Sequence, residues 1–236
     1  MEKKDVYEQV GVAMTCRSYE EYVRMFDLNE AQLQGKHILD VAGGASSFTA
    51  EAGKKGMRTT AADPLYAYSA GAIGEHGIRE IETSTAKLAN LQERFIWDYY
   101  GDIDRHRAGR EKSMQLFLKD YAAQDAASRY YAASLPNLPF EDDMFDLTLC
   151  SHFLFLYEEQ FDYAFHLAAV NELLRVCRPG GEVNIYPLVN FQYYQYPYLE
   201  QLVEDVSRGG AVAEFKPSYL PFLPNSTQLF QIRKPL

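Results

Sequence analysis

Along the chain the apolar residues change their period several times, and each change marks a new element. From residue 18 to residue 33, Tyr22, Val23, Phe26 and Leu33 form a rough helical stripe, with Ser18 placed to cap it and Gly35 to end it. His37–Val41 is a short, nearly continuous apolar run of the buried-strand kind, and it enters a turn of small residues at 42–46. Residues 48–55 return to helical spacing and close at Gly56; residues 58–62 then read as a strand ending at Asp63. Strand, glycine turn, helix, strand and acid compose a βαβ unit, and such units build parallel sheets with right-handed crossovers.

The pattern resumes with a short strand at 130–133, a proline-marked loop at 135–140 and a clear strand at 145–150. An amphipathic helix is expected over 160–177, stopped at 178–181, where Pro179 cannot continue it and glycine accepts a left-handed cap. A strand at 182–186 and a helix through Leu199, Leu202, Val203 and Val206, closed by Gly209 and Gly210, follow. Two β-like runs, 211–216 and 227–233, complete the chain as a hairpin-like pair joined by the proline-rich stretch 217–224. The expectation is an α/β fold: a Rossmann-like, mostly parallel sheet with helices on both faces and a C-terminal antiparallel strand pair.

Residues 66–129 stand apart. Roughly 60 residues separate the second strand from the third, where one helix normally suffices. Stretches 67–72, 78–95 and 112–127 look helical. The chain therefore reads as one domain, 1–236, with a helical insertion at 66–129 that folds over the strand ends as a lid or substrate wall. Trp97, Asp98, Tyr99 and Tyr100, and residues 117–121, are its candidates for lining a pocket.

Composition narrows the picture. Hydrophobic residues make up 47% of the chain, enough for a proper core without disulfides or a structural metal. Eighteen Tyr and fourteen Phe against one Trp suit such a core, and equally a cleft for an aromatic or amphipathic ligand. A net charge of −10 gives no support to a surface that tracks nucleic-acid phosphates. The basic run of Arg105, His106, Arg107, Arg110 and Lys112 is diluted by acids and reads as a solvated face. Cys16, Cys150 and Cys177 are too widely spaced for a metal site. The first ten residues lack the apolar core of a leader, and the longest apolar run, 153–157, is too short for a membrane span. A cytoplasmic protein with no membrane, nucleic-acid or metal partner is expected.

In an open α/β sheet, ligands sit at the carboxyl ends of the strands. Four such ends are visible: Asp40 with the turn Ala42, Gly43 and Gly44; Asp63; Ser134 with Leu135; and Cys150 with Ser151 and His152. Small residues at the first allow close backbone approach, and the following helix N-terminus is expected to offer free N–H donors. Asp63, 23 residues past Asp40, is placed to accept from both hydroxyls of an adenosine ribose. A nicotinamide dinucleotide would want GxGxxG to rest two phosphates on the turn, and that pattern is missing. An adenosine ligand without phosphates needs only this looser turn. His152 follows its strand directly, and an imidazole there could take a proton at neutral pH. Tyr66 and Tyr157 are further groups able to orient a ligand. The other four histidines read as surface or helix residues.

Residues 38–44, Ile-Leu-Asp-Val-Ala-Gly-Gly, resemble the glycine-rich first motif of class I S-adenosylmethionine-dependent methyltransferases. Residues 60–63 resemble the second motif, 138–149 the family's "LPF…FD" stretch, and 172–181 its helix-to-strand turn. Together they span roughly 36–190 in family order. Residues 45–48, 63–66 and 151–157 are also similar to an uncharacterised bacterial branch. The resemblance implies methyl transfer from S-adenosylmethionine to an oxygen or nitrogen of a small molecule or peptide. It implies that Asp40 and the backbone of Ala42, Gly43 and Gly44 hold the methionine part, and that Asp63 holds the ribose. Pro64 and Leu65 would lie against the adenine, Ser134 and Leu135 at its edge, and Ser151 near the methyl. Ala42 and Ser46 stand where the family usually has its first and third glycines, and Ser134 where it has an acid. Two other readings remain: a non-catalytic protein that binds the same cofactor, and a nicotinamide-dependent oxidoreductase.

Overall fold

The computed structural model describes residues 11–236; the leader-free N-terminus inferred above falls outside the described residues. The first helix, α1 (Tyr19–Phe26), starts where expected. Ser18 accepts from Glu21 N and Glu21 reaches back to Ser18 N, a reciprocal capping box. It ends seven residues earlier than the apolar stripe suggests. Asp27 turns left-handed (φ 49°), and Asn29 Oδ1 then draws the N–H groups of Ala31 and Gln32 into a turn.

β1 (His37–Val41), α2 (Phe48–Lys54) and β2 (Arg58–Ala62) form the expected βαβ unit. Then come α3 (Ala70–Ala89), α4 (Ile103–Tyr121) and a two-residue β3 (Tyr130–Tyr131). β4 (Phe145–Ser151) leads to α5 (Tyr163–Val176), capped by Asp162, and α5 runs without a turn into β5 (Cys177–Tyr186). Gly180 is left-handed (φ 71°) as expected, but it lies past the helix end and does not cap α5. Cys177 is already extended, and those residues make the irregular start of β5, where the register with β4 shifts between Phe145 and Leu147. α6 (Leu199–Arg208), β6 (Val212–Pro217) and β7 (Gln228–Arg233) complete the order.

Among the described residues the strands form one sheet in the order β3-β2-β1-β4-β5-β7-β6. The first five pair in parallel, and β7 pairs antiparallel with both β5 and β6. The chain leaves β1 towards β2 on one side and returns to β4 on the other, so a switch point lies at the carboxyl ends of β1 and β4. Alternate residues serve opposite faces. Leu39, Val41, Val183 and Ile185 pack under α5 and α6, whereas Ile38, Leu149 and Tyr186 pack under α1 and α2. Among the described residues no helix is long and apolar enough to cross a membrane.

The insertion holds two helices rather than three helical stretches. Ser69 and Asp102 cap them, and the break falls at 90–102. Glycine in α3 hid its phase from the apolar pattern: a Cβ on Gly77 would stand 2.3 Å from Met114 Sδ, so the Met114 side chain from α4 fills the space that this glycine leaves. Of the aromatic residues expected to line a pocket, Phe117 is instead fully buried between α3, α4 and β3.

One ion cluster ties the insertion to the rest. Arg17 Nη1 donates to Glu21 Oε1 (3.1 Å) and Arg110 Nη1 to Glu21 Oε2 (2.7 Å), with the side chains 9%, 9% and 3% exposed respectively for Arg17, Arg110 and Glu21. Tyr100 donates to Glu21 Oε1, and Arg110 also donates to the Cys16 carbonyl (3.2 Å). This corrects the reading of Arg110 and His106 as a solvated face: both are buried, while Arg105 and Arg107 are exposed.

Burial pushes the Glu21 carboxyl up, but Arg110, Arg17 and the Ser18 N–H outweigh it and hold it near about 2, against 4.5 ordinarily. A lowered carboxyl pKa means stability present above the unfolded value and lost as pH falls. Glu21→Gln should therefore lose about 3–5 kcal/mol at neutral pH, because two buried guanidiniums are left without their anion. Urea unfolding of both proteins should show that difference constant above pH ~5 and shrinking towards pH ~2. A difference independent of pH would contradict an ionised Glu21.

Candidate functional site

A cavity of about 410 Å³ opens at the switch point, within the size range of small-molecule sites. Val41, Ala42 and Gly44 come to it from β1 and its turn, and Asp63, Pro64 and Leu65 from the end of β2. Ser134 and Leu135 follow β3, and His152 follows β4. Four strand ends thus converge as expected. Asp40, Gly43 and Ser151 do not line the cavity but stand behind it. Asp40 is buried, and Tyr22 OH donates to both its oxygens (2.9 and 3.2 Å). A Cβ on Gly43 would lie 2.7 Å from Asp40 Oδ2, so the carboxylate fills the space beneath that glycine. Burial pushes the Asp40 carboxyl up to about 8 despite the Tyr22 hydrogen bond.

Most donors of the turn are already taken, so fewer are free than expected. Ala42 N donates to Ala62 O, Ala45 N to Thr15 O, Ser46 N to Gly43 O and Ser47 N to Arg17 O. Gly44 N donates to Asp63 Oδ2 (2.9 Å) and Phe48 N to Ser46 Oγ (3.1 Å). With those groups taken inside the chain, the turn keeps few N–H donors for a diphosphate. Segment 12–17, which lies across the turn, was missed by sequence reasoning because so short an extended run has no period to detect. Gly44 (φ 55°) admits it: a Cβ there would meet Thr15 O at 2.7 Å. Ala42 adopts a left-handed φ of 57° without being glycine.

Asp63 is fixed by Gly44 N on Oδ2 and Leu65 N on Oδ1, each at 2.9 Å. Burial raises its pKa and these two donors oppose the rise. A carboxylate offers about four lone-pair sites, so roughly two stay available on the residue that lines the cavity.

A second, smaller cavity, of about 120 Å³, lies under α3 and the 217–224 loop. Arg17, Ile81, Leu88, Phe95, Arg110 and Phe222 are among its walls. The two cavities share Ala13, Met14, Thr15 and His152. His152 is buried and left-handed (φ 52°), held by its N–H to Tyr186 O (2.6 Å) and by Ser151 Oγ at 2.9 Å from Nδ1. Burial first, then the charges of Arg17 and Arg110, lower its pKa far below the usual imidazole value. Tyr157 lines the second cavity and accepts from Ala13 N, whereas Tyr66 is spent on the Gly44 carbonyl. His106 and His166 are on helices as expected but are buried, and His76 lines the first cavity.

The chain is similar to several known proteins. The methyltransferase domain family matches residues 107–185, from within α4 almost to the end of β5. An uncharacterised protein of Methanocaldococcus jannaschii is 34% identical over 190 residues, 80% of this chain and 83% of its own. That relative is archaeal, where the sequence phrases had pointed to a bacterial branch. In the complex of the Haloferax volcanii Trm112 methyltransferase activator with a candidate methyltransferase, one chain superposes with a TM-score of 0.50 at 13% identity, over 92% of each chain. A candidate S-adenosylmethionine-dependent methyltransferase of Methanococcus maripaludis gives 0.49 at 12% identity, covering 92% of this chain and 84% of that one. The 1,6-didemethyltoxoflavin-N1-methyltransferase of Burkholderia thailandensis, solved with 1,6-didemethyltoxoflavin and S-adenosylhomocysteine, gives 0.44 at 14%, covering 88% and 76%.

The turn geometry makes a paired forecast. Gly44→Ala should destabilise by about 2–4 kcal/mol, from the left-handed backbone and the displaced Thr15 carbonyl together. Ala42→Gly should stabilise by roughly 0.5–1 kcal/mol, since relief of the left-handed strain exceeds the entropy that glycine adds to the unfolded chain. Urea midpoints of the two variants should move in opposite directions; a shared direction would refute the local account.

Proposed function

The chain belongs to the class I S-adenosylmethionine-dependent methyltransferase family, and from that premise we propose that it transfers a methyl group to an oxygen or nitrogen of a small molecule or peptide. One observation carries the reading: two cavities, one of small-molecule size, meet at a single imidazole, His152. Transfer needs donor and acceptor held in line at a common point, which is what the shared wall provides. A protein that only bound a cofactor would need no second cavity there, and a turn with few free N–H donors disfavours a dinucleotide.

The first cavity fits the cofactor. Asp63 keeps acceptor sites for two ribose hydroxyls, Pro64 and Leu65 offer an apolar surface to the adenine, and Ser134 and Leu135 border it. Ala42 and Gly44 are the turn residues near the methionine part. Asp40 and Gly43 support that turn from behind, and Ser151 acts through His152 by orienting its ring. When bound, S-adenosylmethionine supplies an electrophilic methyl on a sulfonium. His152 is the group placed to take the acceptor's proton, and its depressed pKa keeps the imidazole neutral throughout the neutral range. The insertion serves as the substrate wall, through Ile81 and Leu88 of α3 and Arg110 of α4.

Asp63→Ala should weaken cofactor binding by two charge-assisted hydrogen bonds, on the order of 1.5–3 kcal/mol each. Calorimetry with S-adenosylmethionine checks this, and unchanged affinity would remove Asp63 from the ribose site.

His152→Asn should cut turnover roughly 10²–10⁴-fold with little change in cofactor affinity. In the unsubstituted protein the rate should show no inflection near the ordinary imidazole pKa of ~6.5, because His152 stays neutral above and below it. Near-normal turnover of the variant would leave catalysis to positioning alone.

A further inference from the structure

The cavity beyond His152 has a charge pattern that methyl transfer as such does not require. Two guanidiniums in its wall share one carboxylate: Arg17 and Arg110 both pair with Glu21, all three buried. His106 adds no charge. Its Nε2 lies 3.2 Å from Arg110 Nη2, and since a guanidinium can only donate, that nitrogen accepts and the ring is neutral with its proton on Nδ1. The cluster therefore carries one net positive charge. The mouth does not cancel it, because the half-buried lining residues Glu80 and Lys87 on α3 are opposite in sign.

Two N–H groups of the cluster also lack acceptors. Arg17 Nε and His106 Nδ1 are buried without a hydrogen-bond partner, and both residues line the cavity. Unmatched charge and orphaned donors are each unfavourable in an apolar setting, so they are retained where something else completes them. The remaining wall states what that something is attached to: Phe95, Phe191 and Phe222 with Leu88 and Leu223.

We propose that the molecule taken up by this cavity is a monoanion: an apolar, ring-bearing acid whose carboxylate is received by Arg17 beside Arg110 and His106. It rests on the methyl-transfer reading only in naming that molecule the methyl acceptor. One negative charge balances the cluster, whereas a dianion overshoots and a cation is repelled. The same anion offsets the guanidinium charges that weaken His152 as a base, so the proton acceptor strengthens when the acceptor molecule is in place.

The test titrates the full chain by calorimetry with 3-phenylpropionate, 3-phenylpropionamide, 3-phenylpropylamine and phenyl phosphate, each with and without S-adenosylhomocysteine. The carboxylate should bind about tenfold or more tighter than the amide, and the amine should not saturate. In Arg17→Gln the cluster becomes a neutral Glu21–Arg110 pair, and the preference should fall below about threefold. Arg17→Lys, which keeps the charge, should retain most of it, and decides the point with the unsubstituted series if Arg17→Gln does not fold. Any of four results overturns the proposal: a carboxylate no better than the amide, no saturation by about 10 mM carboxylate, an undiminished preference in Arg17→Gln, or tighter binding of the phosphate ester. Failure to bind S-adenosylhomocysteine would instead count against the methyl-transfer reading, while the head-group preference stayed measurable on its own.

Discussion

One carboxylate between two guanidiniums holds the working half of this molecule together. Glu21 first closes the capping box that starts α1. The same side chain then binds Arg17, at the end of the segment lying across the glycine turn, and Arg110, in the middle of α4. A local helix signal and a tertiary clamp are thus one residue. Because all three groups are buried, their attraction is little screened, and loss of Glu21 leaves two charges that the interior cannot solvate. The insertion otherwise attaches through α4 packed on α2 and Phe117 packed on Tyr130 of β3, and this clamp adds a polar tie to that apolar contact.

The clamp also explains why the turn looks unlike a phosphate loop. Arg17 places its carbonyl on Ser47 N, and Thr15 its carbonyl on Ala45 N. The segment therefore takes two donors just before the helix N-terminus, and the switch point is lined by Asp63, small backbone and apolar side chains. Such a site suits a ligand that brings hydroxyl groups and an adenine ring rather than a diphosphate. His152 completes it from the other side. Its left-handed backbone sends the chain away after β4 and keeps the ring where the two cavities meet.

The sheet was legible because buried strands leave short apolar runs bounded by turn residues, as at His37–Val41, and the βαβ order dictates which strands are parallel. Helix ends were less so: nothing in the apolar stripe of 18–33 says that Asp27 turns left-handed. The phase of α3 was hidden by Gly74 and Gly77, which carry no hydrophobic signal yet make its tightest contact with α4. At the site, the residues at strand ends could be named from position alone, since a strand must deliver its last residues to one edge. The second cavity could not. Its walls come from α3, segment 12–17 and the 217–224 loop, which only tertiary packing brings together. Arg110 shows the general difficulty: within a run of charges, its neighbours Arg107 and Glu111 pair with each other on the exposed side, and one turn of helix separates a solvated residue from a buried one.

Stability and proton chemistry are coupled in this arrangement. The two guanidiniums that hold Glu21 are the same charges that, after burial itself, weaken His152 as a base. In a dry interior neither effect can be tuned alone. Removing a guanidinium to strengthen the imidazole also undoes the clamp, and adding a second carboxylate to balance the cluster would fill the cavity where an acceptor must enter. A ligand anion escapes the dilemma, because it brings the missing charge only while it is bound. The surplus positive charge is thus consistent with a wall whose electrostatics are completed by what the protein takes in, which leaves the free chain stable through Glu21 and its imidazole idle until the cavity is filled.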